Sequence, residues 1–332
     1  MDKAGKEKNR NFFKENLKSF IIGFLVVLVC LLISHIENEK YSKMEYYVKN
    51  NYYSTDHLYE AMNNTLGDYA DRYDDRKQYI SENFDNYVFK LVLSDLNEQE
   101  DERKSKYNNY FNKESAGNIL DQIDSYSKVV VNSENGICYM KISNFTYKKT
   151  FKDIISYKAI LSESNNFIID LRGNTGGSIT ELKDVLSLFY TAGNVIYTEV
   201  KSDEIKSYKT TASKMVDFDK IVFLCDEKTA SAAEVLIFNI KSDFPNKVTI
   251  VGSQTYGKNF SYAYKQFKDG ELFMFVSELM GNSKGETFDD TGITPDFTLD
   301  DPTDSLDFAK KLFDENGINT RAYLKTQKSC II

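Results

Sequence analysis

Two short apolar runs, each followed by a stretch of helical character, constrain the fold of this chain more than any other feature. FIIDL (167–171) precedes a predicted helix near 179–190, and IVFLC (221–225) precedes one near 231–241. Neither run alternates polar and apolar residues, so both faces of each strand are expected to be buried. Strands of this kind that alternate with helices are typical of a parallel sheet in an α/β fold.

Further strands extend this pattern. VVVNSENGICYMKI, which begins at Val129, has two β-rich runs around Asn135 and Gly136, a strong signal for a hairpin. VTIVG (248–252) and ELFMFVSEL (271–279) predict two more strands. The 332 residues, 41% of them hydrophobic, are enough for one large or two modest domains with a real core.

The N-terminal part of the chain has a different character. Residues 1–20 carry six basic side chains against three acids, and the apolar run FIIGFLVVLVCLLISHI (20–36) follows directly. At about 1.5 Å per residue this run spans roughly 25 Å, enough to cross a bilayer that thins slightly. Its basic flank places the N-terminus in the cytoplasm and the rest of the chain outside. We predict an uncleaved, single-pass anchor in the cell membrane. A cleaved signal peptide is the alternative, and only Ser34 offers a small residue for its cleavage site.

Apolar residues recur at helical spacing among many charges between the anchor and the first predicted strand, which favours amphipathic helices. The predicted organisation is a cytoplasmic basic tail (1–19), a transmembrane anchor (20–36), a stalk (37–60), an N-terminal helical segment (61–128), an α/β core (129–300) and a C-terminal helical tail (301–332).

Composition excludes several functional classes. The formal charge is −8, with 42 basic against 50 acidic residues, so nucleic-acid binding is not expected. Of the two histidines, His35 lies in the apolar run, and a Ser-His-Asp triad is possible only through His57. The four cysteines form no CxxC pair, so neither a metal nor a redox cofactor is predicted. Cys138 and Cys225 lie in apolar strands and are expected to be small core residues.

TASAAE (229–234) has two interpretations from its residues alone. Ser231 and Glu234 fit a capping box, in which the two side chains satisfy free N–H groups at a helix start. Ser231 also fits an exposed nucleophile, because the N–H dipoles at a helix N-terminus stabilise developing negative charge. Ser178 and Glu181 spell a second box of the same kind.

The turn DLRGNTGGSITE, which begins at Asp170, is rich in glycine. Gly173, Gly176 and Gly177 permit a tight turn whose N–H groups could face a ligand, although the turn lacks the Lys-Ser/Thr ending of a nucleotide P-loop. For Asp170 and Arg172 we prefer a structural role, in an ion pair or in hydrogen bonds to the loop backbone.

Together with TYGKNF (255–260), these stretches resemble the C-terminal processing peptidases, serine peptidases related to bacterial tail-specific protease. The resemblance runs from GICYMKISNF (136–145) to GITPD (292–296), roughly half of the chain, and includes FIIDLRGNTGG, TASAAE and IVGSQTYGK. It implies a core similar to the ClpP/crotonase superfamily, polypeptide substrates and no cofactor.

The resemblance also implies roles for individual residues. Ser231 corresponds to the nucleophile and Lys258 to its base, while the N–H groups of Gly177 and Ala232 correspond to the oxyanion hole. Lys258 must be neutral to accept a proton, and burial can lower its pKa from an ordinary value of about 10.4. Tyr262 stands where members of the family often carry a glutamine that orients the lysine, and its phenol is the candidate substitute.

We therefore expect a membrane-anchored, extracytoplasmic serine endopeptidase that hydrolyses peptide bonds through an acyl-enzyme. No PDZ-like segment is recognisable between residues 74 and 128, so recognition of free substrate C-termini is not expected. The alternatives are a catalytically inactive peptide- or protein-binding member of the same fold, and a structural protein of the membrane surface. The sequence does not indicate an oligomeric state.

Overall fold

Two sheets organise the part of the chain that the structure describes. This computed structural model describes residues 109–111, 113–123, 128–201, 204–211, 214–267, 270–299 and 304–313, with the single positions 48, 52, 54, 57, 60 and 104. The strands are β1 (Asn109–Phe111), β2 (Val129–Glu134), β3 (Ile137–Ile142), β4 (Asn166–Asp170), β5 (Val195–Lys201), β6 (Glu204–Lys209), β7 (Lys220–Cys225), β8 (Val248–Gly252), β9 (Phe260–Gln266), β10 (Leu272–Gly281) and β11 (Phe297–Thr298). The helices are α1 (Lys113–Ile123), α2 (Thr150–Ile155), α3 (Lys158–Glu163), α4 (Ile179–Ser187), α5 (Ala232–Asp243) and α6 (Ser305–Lys311).

The first sheet has the order β11-β8-β7-β4-β3-β2 and is parallel except for β2. Its two faces are both covered, as the side chains of β4 show. Phe167 and Ile169 belong to the main core, which includes residues of α4 and α5. Ile168 lies on the opposite face, in a cluster with Phe308 of α6. The prediction of a parallel sheet buried on both faces is confirmed.

The predicted hairpin forms β2 and β3. Asn135 and Gly136 both have positive φ angles, 52° and 78°, which are the angles of the tight turns that match the twist of a hairpin. Val129 pairs with Ile142 at the open end. The turn residues therefore set the register of these two strands.

The second sheet is antiparallel and was only partly predicted. Its strand β10 pairs with β9 on one side and with β1 and β5 on the other, and β6 extends it beyond β5. The sequence predicts a strand at 271–279, whereas β1 lies in the range 61–128, where helices are predicted. Three residues are too few for a periodic signal, so only the pairing with β10 reveals β1.

Several predictions fall outside the described residues. They include the basic tail (1–19), the anchor (20–36), and all but isolated positions of the stalk (37–60). Over the ranges that the structure does describe, no helix is both long enough and apolar enough to cross a membrane. Both sheets belong to one unit of the chain, which comprises residues 52–55 and 100–332.

Candidate active site

The sequence motifs meet at one edge of the parallel sheet. The glycine-rich turn follows β4, TASAAE follows the end of β7, and TYGK follows β8. These three strands are neighbours in the order β8-β7-β4. Loops at the carboxyl ends of adjacent parallel strands share one edge, which is where α/β proteins place their ligands.

Ser231 is not an ordinary helix cap. It precedes α5 with φ 56° and ψ −122°, whereas an N-cap residue usually has an extended conformation with negative φ. Ser178, in the second box, is such an ordinary cap, because it has φ −66° and ψ 123° and its hydroxyl accepts the N–H of Glu181 at 3.4 Å. A positive φ in a residue other than glycine costs about 1–3 kcal/mol, and such strain clusters at functional sites.

The Glu234 carboxylate connects the turn that contains Ser231 (229–231, the serine turn) to the loop that contains Lys258 (255–258, the lysine loop). Its Oε2 accepts the N–H of Ser231 at 2.8 Å and that of Lys258 at 2.9 Å. Its Oε1 accepts the N–H of Gly257 at 2.6 Å and the hydroxyl of Thr255 at 2.5 Å. All four partners donate, which suits an ionised carboxylate. Burial raises the pKa of Glu234, and these four hydrogen bonds act in the opposite direction.

Lys258 lies in surroundings that disfavour its charge. Burial lowers its pKa from 10.5 to about 8, although the negative charge of Glu234 favours the cation. The Lys258 Nζ atom lies 4.6 Å from the centroid of the Tyr262 ring and 5.5 Å from that of Phe260. A substantial fraction of this side chain is therefore neutral near pH 8, as a general base requires.

The glycine-rich turn packs directly against the serine turn. A Cβ atom placed on Gly176 would lie 2.7 Å from Ser231 Cβ and 3.0 Å from the amide nitrogen of Ala232. Gly177 has φ 134°, and a Cβ there would lie 2.3 Å from the carbonyl oxygen of Phe145. Only glycine allows these approaches, and they bring Gly177, Ala232 and Ser231 into one small region.

Hydrogen bonds determine which amide groups of the turn can face a ligand. The N–H of Gly176 donates to Asn174 Oδ1 at 2.8 Å. The N–H of Phe145 donates to the carbonyl of Gly176 at 2.9 Å, and the carbonyl of Phe145 accepts the N–H of Ser178 at 2.7 Å. The amide of Gly177 lies between these bonded groups. Ala232 is the first residue of α5, where an N–H has no partner within the helix.

Two structural residues of this region were missed from the sequence. Asn174 is fully buried. Its side-chain Nδ2 donates to the backbone carbonyl of Ile142 at 2.9 Å, and its backbone carbonyl accepts the N–H of Ala230 at 2.9 Å. Thr255 accepts the N–H of Ile293 at 2.7 Å, which fastens the GITPD motif to the lysine loop. Both are single polar residues beside glycine motifs, a signal too weak to assign a role without the structure.

Four side chains that the sequence assigns to structural roles are in such roles, namely Asp170, Arg172, Cys138 and Cys225. Arg172 donates to Asp170 through Nε at 2.9 Å and through its backbone N–H at 3.0 Å, and Tyr139 donates to the same carboxylate at 2.8 Å. Cys138 and Cys225 are buried thiols, and burial raises their pKa values to about 11 and about 12. Among the described side chains, no cluster of histidine, cysteine and acidic residues is arranged to hold a metal ion.

Comparison with known proteins identifies this region. Residues 136–299, which contain all three motifs, match the family model described as Peptidase family S41. These residues are a peptidase family S41 domain. The resemblance to the C-terminal processing peptidases that the sequence predicted is confirmed.

The S41 domain has curated relatives of similar sequence. A "Probable CtpA-like serine protease" of Staphylococcus aureus (strain COL) is 31% identical over 137 residues, which are 41% of this chain and 27% of that protein. The protein of the same description from Staphylococcus epidermidis is 30% identical over 139 residues, 41% of this chain and 28% of the relative. The match to this chain thus spans about a quarter of the length of these relatives.

The fold of the S41 domain also occurs in a solved structure. A lipoprotein from Streptococcus agalactiae superposes with a TM-score of 0.51 at 18% identity, over 82% of this chain and 96% of the other. At this level of identity the likeness concerns the fold alone.

Proposed function

We propose that this chain is a membrane-anchored, extracytoplasmic serine endopeptidase in which Ser231 and Lys258 act as a catalytic dyad. The observation that carries the proposal is the Glu234 carboxylate, which accepts the backbone N–H groups of both residues through one oxygen atom. The S41 domain and the CtpA-like relatives support a serine peptidase.

The reaction follows from the protonation state of the lysine. The neutral Nζ of Lys258 accepts the hydroxyl proton of Ser231 as the Oγ atom attacks the peptide carbonyl. The lysine then gives this proton to the departing amine, which leaves an acyl-enzyme. Water, deprotonated by the same lysine, attacks the ester and restores the serine. With a pKa of about 8, Lys258 can exchange a proton in both directions near neutral pH.

The negative charge of the tetrahedral intermediate requires donors already in place. The N–H groups of Gly177 and Ala232 are the proposed donors, because the contact of Gly176 with Ser231 and Ala232 sets them beside the nucleophile. The N-terminus of α5 adds its dipole to this site. Loss of a single oxyanion donor typically costs about 10²–10³ in kcat.

The proposed location rests on the sequence. The basic flank and the apolar run 20–36 support an anchor, and the distribution of charge supports an extracytoplasmic S41 domain. Polypeptides are the proposed substrates, and cleavage within an extended segment is favoured over recognition of a free C-terminus.

Substitution of the dyad tests the proposal. Ser231→Ala and Lys258→Arg should each abolish peptidase activity in the purified protein while its circular dichroism spectrum is unchanged. Arginine keeps the charge but cannot give up its proton at a working pH, so it separates a general base from a lysine that only makes an ion pair.

A serine-reactive phosphonate provides the complementary measurement. It should modify Ser231 in the native protein and fail to modify the Lys258→Arg variant. Peptidase activity that persists in either variant would overturn the dyad. A native protein that binds polypeptides but neither cleaves them nor reacts with the phosphonate would instead be the inactive binding member of the fold.

A further inference from the structure

Tyr262 stands beside Lys258 and has no part in the acyl transfer. Its ring centroid lies 4.6 Å from Lys258 Nζ, and the ring of Phe260 lies 5.5 Å from the same atom. Both rings belong to β9, which begins two residues after Lys258. Alternate residues of a strand point to the same face of the sheet, so the two rings form one wall around the lysine amine.

The Tyr262 side chain is supported from another direction. It packs, together with Phe111, against a cluster of three fully buried residues. Ala116 of this cluster belongs to α1, and Leu272 and Met274 belong to β10. The cluster therefore restricts the movement of the ring that faces Lys258.

We propose that Tyr262 is a positioning residue whose ring, supported by α1 and β10, fixes the place of the Lys258 amine and keeps water from it. This inference rests on the proposed function, because it treats Lys258 as the base. The ring is assigned the role, and not the phenol hydroxyl, because Nζ lies over the ring centroid.

The electrostatics around the amine agree with this role. Glu234, from α5, is a charged side chain that acts on Lys258, and it favours the cation. An aromatic face also attracts a cation. Burial is nevertheless the largest cause of the lowered pKa of Lys258 and outweighs the charge of Glu234. The rings of Tyr262 and Phe260 are among the groups that surround the amine.

Three variants of the full chain separate the ring from the hydroxyl. Tyr262→Phe keeps the ring, whereas Tyr262→Ala removes it and admits water. Tyr264→Ala is the matched control, since Tyr264 lies two residues along the same strand and is 48% exposed. The first readout is the dependence of kcat/KM on pH. Tyr262→Ala should move the acid-side midpoint upward by about one pH unit or more, which means roughly a tenfold loss at pH 7. Tyr262→Phe and Tyr264→Ala should leave the midpoint in place.

The second readout does not require activity. Competitive acetylation of the native protein over a range of pH, followed by mass spectrometry of the peptide that contains Lys258, reports the titration of this lysine directly. Its midpoint should shift upward in Tyr262→Ala and remain unchanged in Tyr262→Phe. The measurement can be repeated in a Ser231→Ala background, where turnover is absent.

The outcomes distinguish the two hypotheses. An unchanged acetylation midpoint in folded Tyr262→Ala overturns the role of the ring, as does a shift in Tyr262→Phe as large as that in Tyr262→Ala. If Tyr262→Ala does not fold, Tyr262→Leu replaces it, with a smaller shift expected in the same direction. If the acetylation midpoint follows Tyr262 but the native protein has no peptidase activity, the proposed function fails and the contact between Tyr262 and Lys258 is supported.

A substitution in α1 tests whether this helix supports the Tyr262 ring. Ala116 is fully buried, so Ala116→Leu should displace Tyr262 and raise the Lys258 acetylation midpoint. Gly117→Ala is the control, because a Cβ at Gly117 meets no atom within 4 Å. A folded Ala116→Leu protein with an unchanged midpoint would contradict the support by α1.

Discussion

Lys258 is held where its own positive charge is unfavourable. Because burial depresses its pKa to about 8, the folded protein destabilises the cation relative to the unfolded chain. This cost is independent of any substrate and should be measurable in folding alone.

The free energy of unfolding should therefore depend on pH through Lys258. Between about pH 8 and 10.5 the unfolded chain binds a proton that the native protein does not, so stability rises with pH in this window. The slope contributed by one group reaches about 1.4 kcal/mol per pH unit. Below pH 8 both states are protonated and the cost remains in full. Urea unfolding from pH 7 to 10 should be measured for the native protein and for Lys258→Met. The free energy of unfolding that the variant gains over the native protein should decrease as the pH rises. Parallel curves would contradict the depressed pKa.

Glu234 is predicted to matter for stability and for activity at once. Its carboxylate accepts four hydrogen bonds, and Glu234→Gln would turn one acceptor into a donor that faces donors. We expect a loss of about 1–3 kcal/mol of stability and a fall in kcat/KM beyond what unfolding explains. Denaturant unfolding and steady-state kinetics measure the two effects.

Glu227→Gln is the control for this substitution, because Glu227 is exposed and its described hydrogen bond is a 3.3 Å contact with Ser253. Equal effects at the two positions would refute the special role of Glu234.

At the scale of elements, the glycine-rich turn and the serine turn are sterically interlocked. Gly176 and Gly173 both have positive φ angles, 99° and 75°, so alanine at either position strains the backbone. Only at Gly176 would the new Cβ meet Ser231, whereas Gly173 has no atom within 4 Å of that position.

This pair gives a matched prediction. Gly173→Ala should cost about 1–2 kcal/mol of stability and retain activity. Gly176→Ala should lose activity at least about a hundredfold, because the clash displaces the serine turn and the adjacent proposed oxyanion donors. Thermal unfolding and kcat/KM of both variants provide the test. Comparable activity in the two variants would show that Ser231 tolerates the displacement.

The elements differ in how well the sequence predicted them. The buried parallel strands and the helices that follow them were predicted within a few residues, because their apolar runs are continuous and their starts carry caps. Strand β6, EIKSYK, has no such signal, since it is largely exposed and belongs to the antiparallel sheet. The motifs indicated Ser231 and Lys258 as a pair. The resemblance also indicated Tyr262 as a partner of the lysine, through its phenol. The connection through Glu234 and the contact of Lys258 with the Tyr262 ring depend on tertiary packing, which no local pattern encodes.

At the scale of the whole chain, the arrangement relative to the membrane is the main prediction. The predicted anchor at 20–36 precedes the S41 domain by about a hundred residues, and the positive-inside rule predicts that this domain lies outside the cytoplasm. Protease added to intact cells should degrade residues 136–299, and the full chain should sediment with membranes. Protection of these residues would contradict the orientation. A mature N-terminus near residue 37 would contradict the anchor and indicate a cleaved signal peptide.

The hydrogen bonds of Thr255 have a consequence for the order of folding. The Glu234 carboxylate holds the serine turn and the lysine loop together, and Thr255 of that loop is itself held by Ile293. During synthesis from the N-terminus, Ser231 is therefore made 62 residues before Ile293, which holds the lysine loop in place through Thr255. We expect chains arrested before residue 293 to show no turnover in a translation assay. A peptidase built in this way would be unable to cut its own unfinished polypeptide, which gives the nascent chain protection without an inhibitor.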